Sequence, residues 1–112
     1  MKYALLIYTK PGSHEALPDA EREAVLREYF AISDDPRCLA GAQLHPVQTA
    51  TSVRVENGST LTTDGPFADT KEVFGGLYIL EADDVDEAVA VAERIPAARL
   101  GGVVEVRPVV EQ

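Results

Sequence analysis

The residues best suited to chemistry sit together in one short stretch. Asp64-Gly65-Pro66-Phe67-Ala68-Asp69-Thr70-Lys71-Glu72 places five polar side chains in nine positions around a single aromatic. Asp64 can cap its own turn, because an aspartate side chain bonds backbone amides two residues on. Gly65 permits an unusual φ and Pro66 fixes the next one. A rigid turn accounts for these three residues but asks nothing of Lys71 or Glu72. Set at the rim of a pocket, the same loop would supply Asp64 as a general base and Lys71 as an anchor for an anion. Phe67 and Glu72 would add further substrate contacts.

Two histidines could join such a site. His14 lies in a polar loop near Lys10 and Glu15 and is either an exposed loop residue or a proton shuttle at the pocket mouth. His45, before Pro46, reads as a loop residue. Cys38 stands alone, with no histidine beside it to make a reactive thiol. Other chemistries lack their residues. Two histidines and one cysteine without close spacing do not make a zinc site. Asp34-Asp35 and Asp83-Asp84 lack the alternating ligands of a calcium loop. Gly75-Gly76 and Gly101-Gly102 match no phosphate or dinucleotide fingerprint, and no serine sits in a nucleophile elbow. The expectation is a site with neither metal nor cofactor.

Charge narrows the partners. Acids outnumber bases 19 to 10 in 112 residues, a formal net charge of −9. Nucleic-acid binding rests on basic residues neutralising phosphates, and no basic run exists; an anionic membrane surface is disfavoured for the same reason. The apolar run Tyr3 to Tyr8 is too short for a secretion signal, and no segment reaches the ~20 apolar residues of a membrane span. With a single cysteine there is no internal disulfide. These features point to a cytoplasmic protein of one domain, residues 1–112.

The elements that must position these residues are legible from periodicity. Tyr3 to Tyr8 reads as a strand apolar on both faces, and so does Val73 to Ala82, with Gly75-Gly76 marking a bulge or close backbone approach. A helix is predicted from Asp19, as N-cap, to Ser33, with Val25, Leu26, Tyr29 and Phe30 forming one buried stripe. Cys38 to Leu44 is a short strand. Thr49 to Val55 and Ser59 to Thr63 form a hairpin about Asn57-Gly58, the pair that best tolerates positive φ at both turn positions. A second helix runs from Val85 to Ile95 behind an Asp84/Glu87 capping box, with Val85, Ala88, Val89, Ala92 and Ile95 inward. Val103 to Val109 is the last strand, Val104 and Val106 in, Glu105 and Arg107 out. The order is β-α-β-(hairpin)-β-α-β, an α+β pattern with both helices on one face of an antiparallel sheet. Strands apolar on both sides then call for something to cover the other face, and a second copy of the same sheet is the simplest candidate.

The loop Asp64 to Glu72 resembles the DGPFAETKE signature of the DGPF branch of the YCII-related family, with Asp69 for Glu. The ending Arg94-Ile95-Pro96-Ala97-Ala98-Arg99 and Val104-Glu105-Val106-Arg107-Pro108, the opening Met1-Lys2-Tyr3, and Thr49-Ala50-Thr51-Ser52-Val53-Arg54 are similar as well. The resemblance spans essentially the whole chain. It implies a ferredoxin-like βαββαβ subunit with an extra hairpin, and a homodimer whose two sheets pack as a dimeric α/β barrel. Relatives with this barrel include muconolactone-type isomerases and dehalogenases. Some YCII-like proteins carry a proposed His–Asp pair whose histidine lies in the first helix. The helix predicted here from Asp19 to Ser33 has no histidine, so that pair transfers to neither His14 nor His45. Many DGPF members are encoded beside extracytoplasmic-function sigma factors.

Two functions fit these residues. One is a cofactor-free acid–base enzyme of isomerase, lyase or hydrolase type, with Asp64 and His14 catalytic and Phe67, Lys71 and Glu72 holding a small organic molecule. The other is a non-catalytic ligand-binding or regulatory module, linked to an extracytoplasmic-function sigma factor.

Overall fold

The computed structural model describes residues 1–111. Six strands and two helices follow one another as β1 (Lys2–Thr9), α1 (Asp19–Ser33), β2 (Cys38–Gln43), β3 (Thr51–Glu56), β4 (Ser59–Asp64), β5 (Val73–Glu81), α2 (Val85–Ala92) and β6 (Val103–Pro108). Four strands form one antiparallel sheet in the order β2-β5-β1-β6, and β3 and β4 pair only with each other. With the hairpin set aside, this is the strand order of a ferredoxin-like subunit.

The alternation of side chains along β1 and β5 sets the core. Tyr3, Leu5 and Ile7 point to one face beside Tyr78 and Leu80. There they meet Ile32 of α1, Ala88, Val91 and Ala92 of α2, and Ile95 and Ala97 in the turn that follows it. On the opposite face Ala4, Leu6, Tyr8, Leu77 and Ile79 are only half-buried. Tyr8 and Phe74 pack there with ring centroids 5.5 Å apart. Both strands are therefore apolar on two faces, and one of those faces is uncovered in the subunit.

The helices differ from the sequence reading in which residues they bury. In α1 the core residues are Val25 and Ile32, two turns apart, with Tyr29 half-buried between them. Leu26 and Phe30 remain 53% and 60% exposed. Each follows a core-side residue by one position, and one position is about 100° around a helix. Four apolar residues in two adjacent pairs thus make two stripes, one for the core and one that faces elsewhere. In α2 the inward set is Ala88, Val91 and Ala92, while Val85 and Val89 are exposed. The helix ends at Ala92, earlier than expected, and Ile95 is buried ahead of a 3-10 turn, Pro96–Ala98.

The helix starts are local chemistry. Asp84 accepts the Glu87 amide at 2.9 Å as N-cap of α2, and the Glu87 carboxylate accepts the Asp83 amide at 3.1 Å, one residue before the usual capping-box donor. Pro18, not Asp19, holds the N-cap position of α1; Asp19 falls inside the first turn and pairs with Arg22. Before β2, Asp35 accepts from the Arg37 backbone amide and bidentately from its guanidinium, at 2.9 to 3.0 Å. Arg37 also reaches Glu87 of α2 at 3.3 Å. The Arg37 contacts hold the Asp35 carboxyl well below the usual carboxylate range.

Two glycine positions are dictated by geometry. Asn57 and Gly58 have φ of 51° and 79°, which makes the two-residue hairpin turn. In β5, Ile7 pairs with Gly76 and Tyr8 with Phe74, so Gly75 bulges from the ladder and its carbonyl accepts the Leu44 amide at 3.0 Å. A Cβ on Gly76 would stand 2.6 Å from the Ala42 carbonyl oxygen. Gly76→Ala must therefore push β2 away from β5. The expected loss is about 1–3 kcal/mol, the usual range for overpacking a close contact, read as a lower urea midpoint at unchanged m-value.

Candidate functional site

A cleft of about 1020 Å³ opens between α1, β2, the start of β5 and the loop from β1 to α1. Its walls include the second stripe of α1: Leu26 and Phe30, turned away from the core, line it together with Leu39 of β2 and Leu44 just beyond it. Loop residue His14 and helix residue Tyr29 meet in the wall. The His14 Nε2 atom lies 2.8 Å from the Tyr29 hydroxyl, and its Nδ1 atom lies 3.0 Å from the Ser13 hydroxyl. The two rings stack at 5.8 Å. Each ring nitrogen thus has a hydroxyl partner, and rotating the hydroxyls satisfies either imidazole tautomer.

Burial sets the charge state of the pair. It lowers the His14 pKa, against the opposing pull of Glu15, so the ring is a neutral imidazole at neutral pH. It also pushes the Tyr29 phenol up to about 12, with hydrogen bonding to the Ala97 backbone acting the other way. A neutral imidazole able to accept a proton therefore touches a phenol held as a donor. Cys38 also lines the cleft, but burial raises its pKa and keeps it a thiol rather than the nucleophilic thiolate. No cluster of three metal-ligating side chains occurs among the described residues.

The structure places the sequence-derived candidates in two separate regions. His14 and His45 both line the cleft, the first from the loop before α1 and the second just after β2. Asp64, Phe67, Lys71 and Glu72 do not line it; the cleft wall begins at Val73. The Asp64 loop is held mainly by its neighbours: the Gly65 amide donates to the Ala50 carbonyl at 2.7 Å, and the Ser52 hydroxyl donates to the Gly65 carbonyl at 2.8 Å. Gly65 takes a φ of 94°, the unusual value its position suggested. Asp64 is exposed, and its carboxylate forms no side-chain hydrogen bond among the described residues. Phe67 does not pack the loop down; its ring is 83% exposed. Lys71 is exposed without an ion pair among the described residues, and Glu72 is half-buried with its carbonyl accepting from the Thr70 hydroxyl.

Sequence reasoning missed Tyr29, which passed for an ordinary member of the buried stripe. The available signal was the width of the α1 apolar face, two adjacent pairs where one core needs a single stripe. Nothing in the 15-residue separation from His14 announces their contact.

The His14 environment has a thermodynamic consequence. The folded ring is harder to protonate than the unfolded one, whose ordinary pKa is 6.5. As pH falls, the unfolded chain takes its proton first, so stability from the neutral ring is complete above the unfolded value and is lost as pH drops through the lower folded value. The melting-temperature advantage of the wild type over His14→Gln should be larger at about pH 7.5 than at about pH 5. Equal advantages by calorimetry at both pH values would contradict the buried, neutral assignment.

Comparison with known proteins places this geometry. An uncharacterized protein of Rhizobium meliloti (strain 1021) is 34% identical over 113 residues, covering 96% of this chain and 91% of that protein. Among solved structures, the chain is similar to 5-chloro-2-hydroxyhydroquinone dehydrochlorinase (TftG) from Burkholderia phenoliruptrix AC1100, in complex with 2,5-dihydroxybenzoquinone. That match has a TM-score of 0.59 at 17% identity, over 100% of this chain and 96% of the other. At that identity the likeness is one of fold. The family model described as YCII-related domain matches residues 1–112, and with this match and the relative above, the chain belongs to the YCII-related family.

Proposed function

We propose that the protein is a cofactor-free acid–base enzyme of isomerase, lyase or hydrolase type, acting on a small organic molecule in the α1–β2 cleft. The observation that carries this reading is the hydrogen bond between His14 and Tyr29 inside an apolar cleft. With His14 Nε2–H donating to the Tyr29 oxygen, the Tyr29 O–H is free to donate to the substrate oxygen on which charge develops, and Nδ1 takes the substrate proton when the Ser13 hydroxyl turns aside. The fold supports the reading, since a dehydrochlorinase is built on it. Asp64, with Phe67, Lys71 and Glu72, forms a second candidate group outside the cleft, and Asp64 is the alternative base.

The test needs no known substrate. Lactones, hydroxyquinones and small ketones are incubated with the protein in D2O, and deuterium entering acidic C–H positions is read by NMR. The wild type should catalyse exchange with at least one compound. His14→Gln should lower the rate by ~100-fold or more, the usual range for a general base, and Tyr29→Phe should lower it as well. The rate should rise with pH through the lowered His14 pKa. If Asp64→Asn abolishes exchange and His14→Gln does not, the base lies in the loop. Binding without exchange for every compound would instead favour a ligand-binding or regulatory module, the reading to which a sigma-factor link belongs.

The uncovered sheet face supports a second proposal, a homodimer joined through it. Ala4, Leu6, Tyr8, Leu77 and Ile79 form a continuous apolar surface there, of the kind that associates in water. Leu6→Glu should shift the mass seen by light scattering from two chains to one. A wild type that scatters as a 12.1 kDa monomer would overturn the proposal.

A further inference from the structure

The cleft has a charge balance opposite to that of the chain. Acids outnumber bases 19 to 10 overall, yet the cleft lining holds two cations, Lys10 and Arg22, against a single carboxylate, Glu15. The two cations are differently placed. Arg22 pairs with Asp19, a carboxylate almost fully in solvent, and such an exposed partner exchanges readily for a ligand. Lys10 makes no ion pair among the described residues. Its aliphatic stem nonetheless runs close to another segment of the chain. It lies against Gly101, where an added Cβ would come within 2.9 Å of the lysine Cδ. Gly101 has a φ of 85°, a conformation in which a side chain is disfavoured anyway. The Lys10 carbonyl accepts the Ser13 amide at 3.0 Å, which ties the lysine to the turn that carries His14. The same cleft is lined by Leu26, Phe30, Leu39 and Leu44, all large, apolar and exposed, and on α1 Arg22, Leu26 and Phe30 succeed one another at four-residue spacing along one face.

Resting on the reading of this cleft as the active site, we propose that its ligand is a small organic anion with an apolar body. The body lies on Leu26, Phe30, Leu39 and Leu44, and the negative group turns toward Lys10 and Arg22, beside His14 and Tyr29. A carboxylate, enolate or phenolate meets this description; a cation or a neutral alcohol of the same size does not. A volume of about 1020 Å³ is at the upper end for a small-molecule site and accommodates a body of one or two rings. The hydrogen-bonded polar pair in the wall distinguishes the cleft from the featureless apolar sheet face assigned to a second copy.

Benzoate, benzyl alcohol and benzylammonium share a ring and differ in charge, which makes them the probes. Each is titrated into isotope-labelled protein and followed by amide chemical shifts. Benzoate should bind at least about tenfold more tightly than benzyl alcohol, as a charge-assisted contact contributes, and should shift amides of the His14 loop, α1 and β2. Benzylammonium should not bind there. Lys10→Met keeps the stem and removes the charge; it should erase most of the preference for benzoate and leave benzyl alcohol unchanged. Leu26→Gln should weaken both. Equal affinities for benzoate and benzyl alcohol in the wild type would overturn the proposal. So would a preference surviving in Lys10→Met, shifts mapping outside the cleft, or a cleft closed by a second copy, seen as concentration-dependent shifts at these residues without ligand. The readout is independent of turnover. Benzoate selectivity with no deuterium exchange would sink the catalytic reading alone, whereas exchange on neutral compounds without anion preference would sink this one alone.

Discussion

One hydrogen bond ties the middle of α1 directly to the sheet beneath it. The Tyr78 hydroxyl, at the centre of β5, donates to the backbone carbonyl of Tyr29 at 3.0 Å. The ring reaches that carbonyl by crossing β2 at Gly41, where an added Cβ would lie 2.8 Å from Tyr78 Cδ1. A glycine in an edge strand ordinarily weakens it; here it admits the ring that fixes the helix. With Tyr29 held above Tyr78, the rotation of α1 is determined. Val25 and Ile32 are buried, the Tyr29 side chain reaches His14, and Leu26 and Phe30 are left exposed along the cleft. The core contact and the cleft are consequences of the same angle.

That angle also sets the electrostatics of the site. Tyr29 is half-buried because its backbone is tied down to the sheet while its hydroxyl looks out into the cleft. The same burial acts in opposite directions on its two kinds of titrating group. It disfavours the phenolate, which raises the tyrosine pKa, and it disfavours the imidazolium, which lowers that of His14. Both shifts favour the uncharged forms, so the pair is neutral over a wider pH range than either residue alone in water. A neutral pair does not compete with a ligand for Lys10 or Arg22. The cations of the cleft and its neutral His14–Tyr29 pair are thereby kept chemically distinct, although Lys10 and His14 share one short turn.

Much of the architecture was readable because it is encoded locally. The α1 boundaries, Asp19 and Ser33, the Asn57-Gly58 turn and the bulge at Gly75 each depend on residues within a few positions of one another. The helix faces were not readable in this way. Val25, Leu26, Tyr29 and Phe30 satisfy a helical period together, and periodicity alone does not say that Val25 is buried while Leu26 and Phe30 stay exposed in the cleft wall and Tyr29 meets a loop histidine there. In α2, Val89 and Val91 are equally apolar, and only packing against β1 and β6 selects Val91. The candidate site divided along the same line. The Asp64 loop stood out because its polar residues are consecutive in sequence. The His14–Tyr29 pair is built by tertiary structure from a loop and a helix 15 residues apart, and leaves no local pattern.

The hairpin gives the Asp64 loop its setting. β3 and β4 are exposed along nearly their whole length and pair only with each other. The Cα radius of gyration is 15.8 Å, against about 13 Å for a compact chain of this length, as expected when an arm stands off the body. A two-stranded hairpin is at best marginally stable by itself in water, and this one carries Val53, Val55 and Leu61 exposed. Its base is the loop Asp64 to Glu72, with Phe67 in solvent. An aromatic at such exposure, on an arm with its own apolar side chains, is poorly explained by the needs of one subunit. The uncovered face of the main sheet is poorly explained in the same way. The homodimer proposed above would account for both, by burying an apolar sheet face and giving an otherwise marginal arm something to rest on. The charge on the loop has a physical reason that catalysis does not require: Asp64, Asp69, Lys71 and Glu72 flank the exposed Phe67 in sequence with groups that keep the arm solvated.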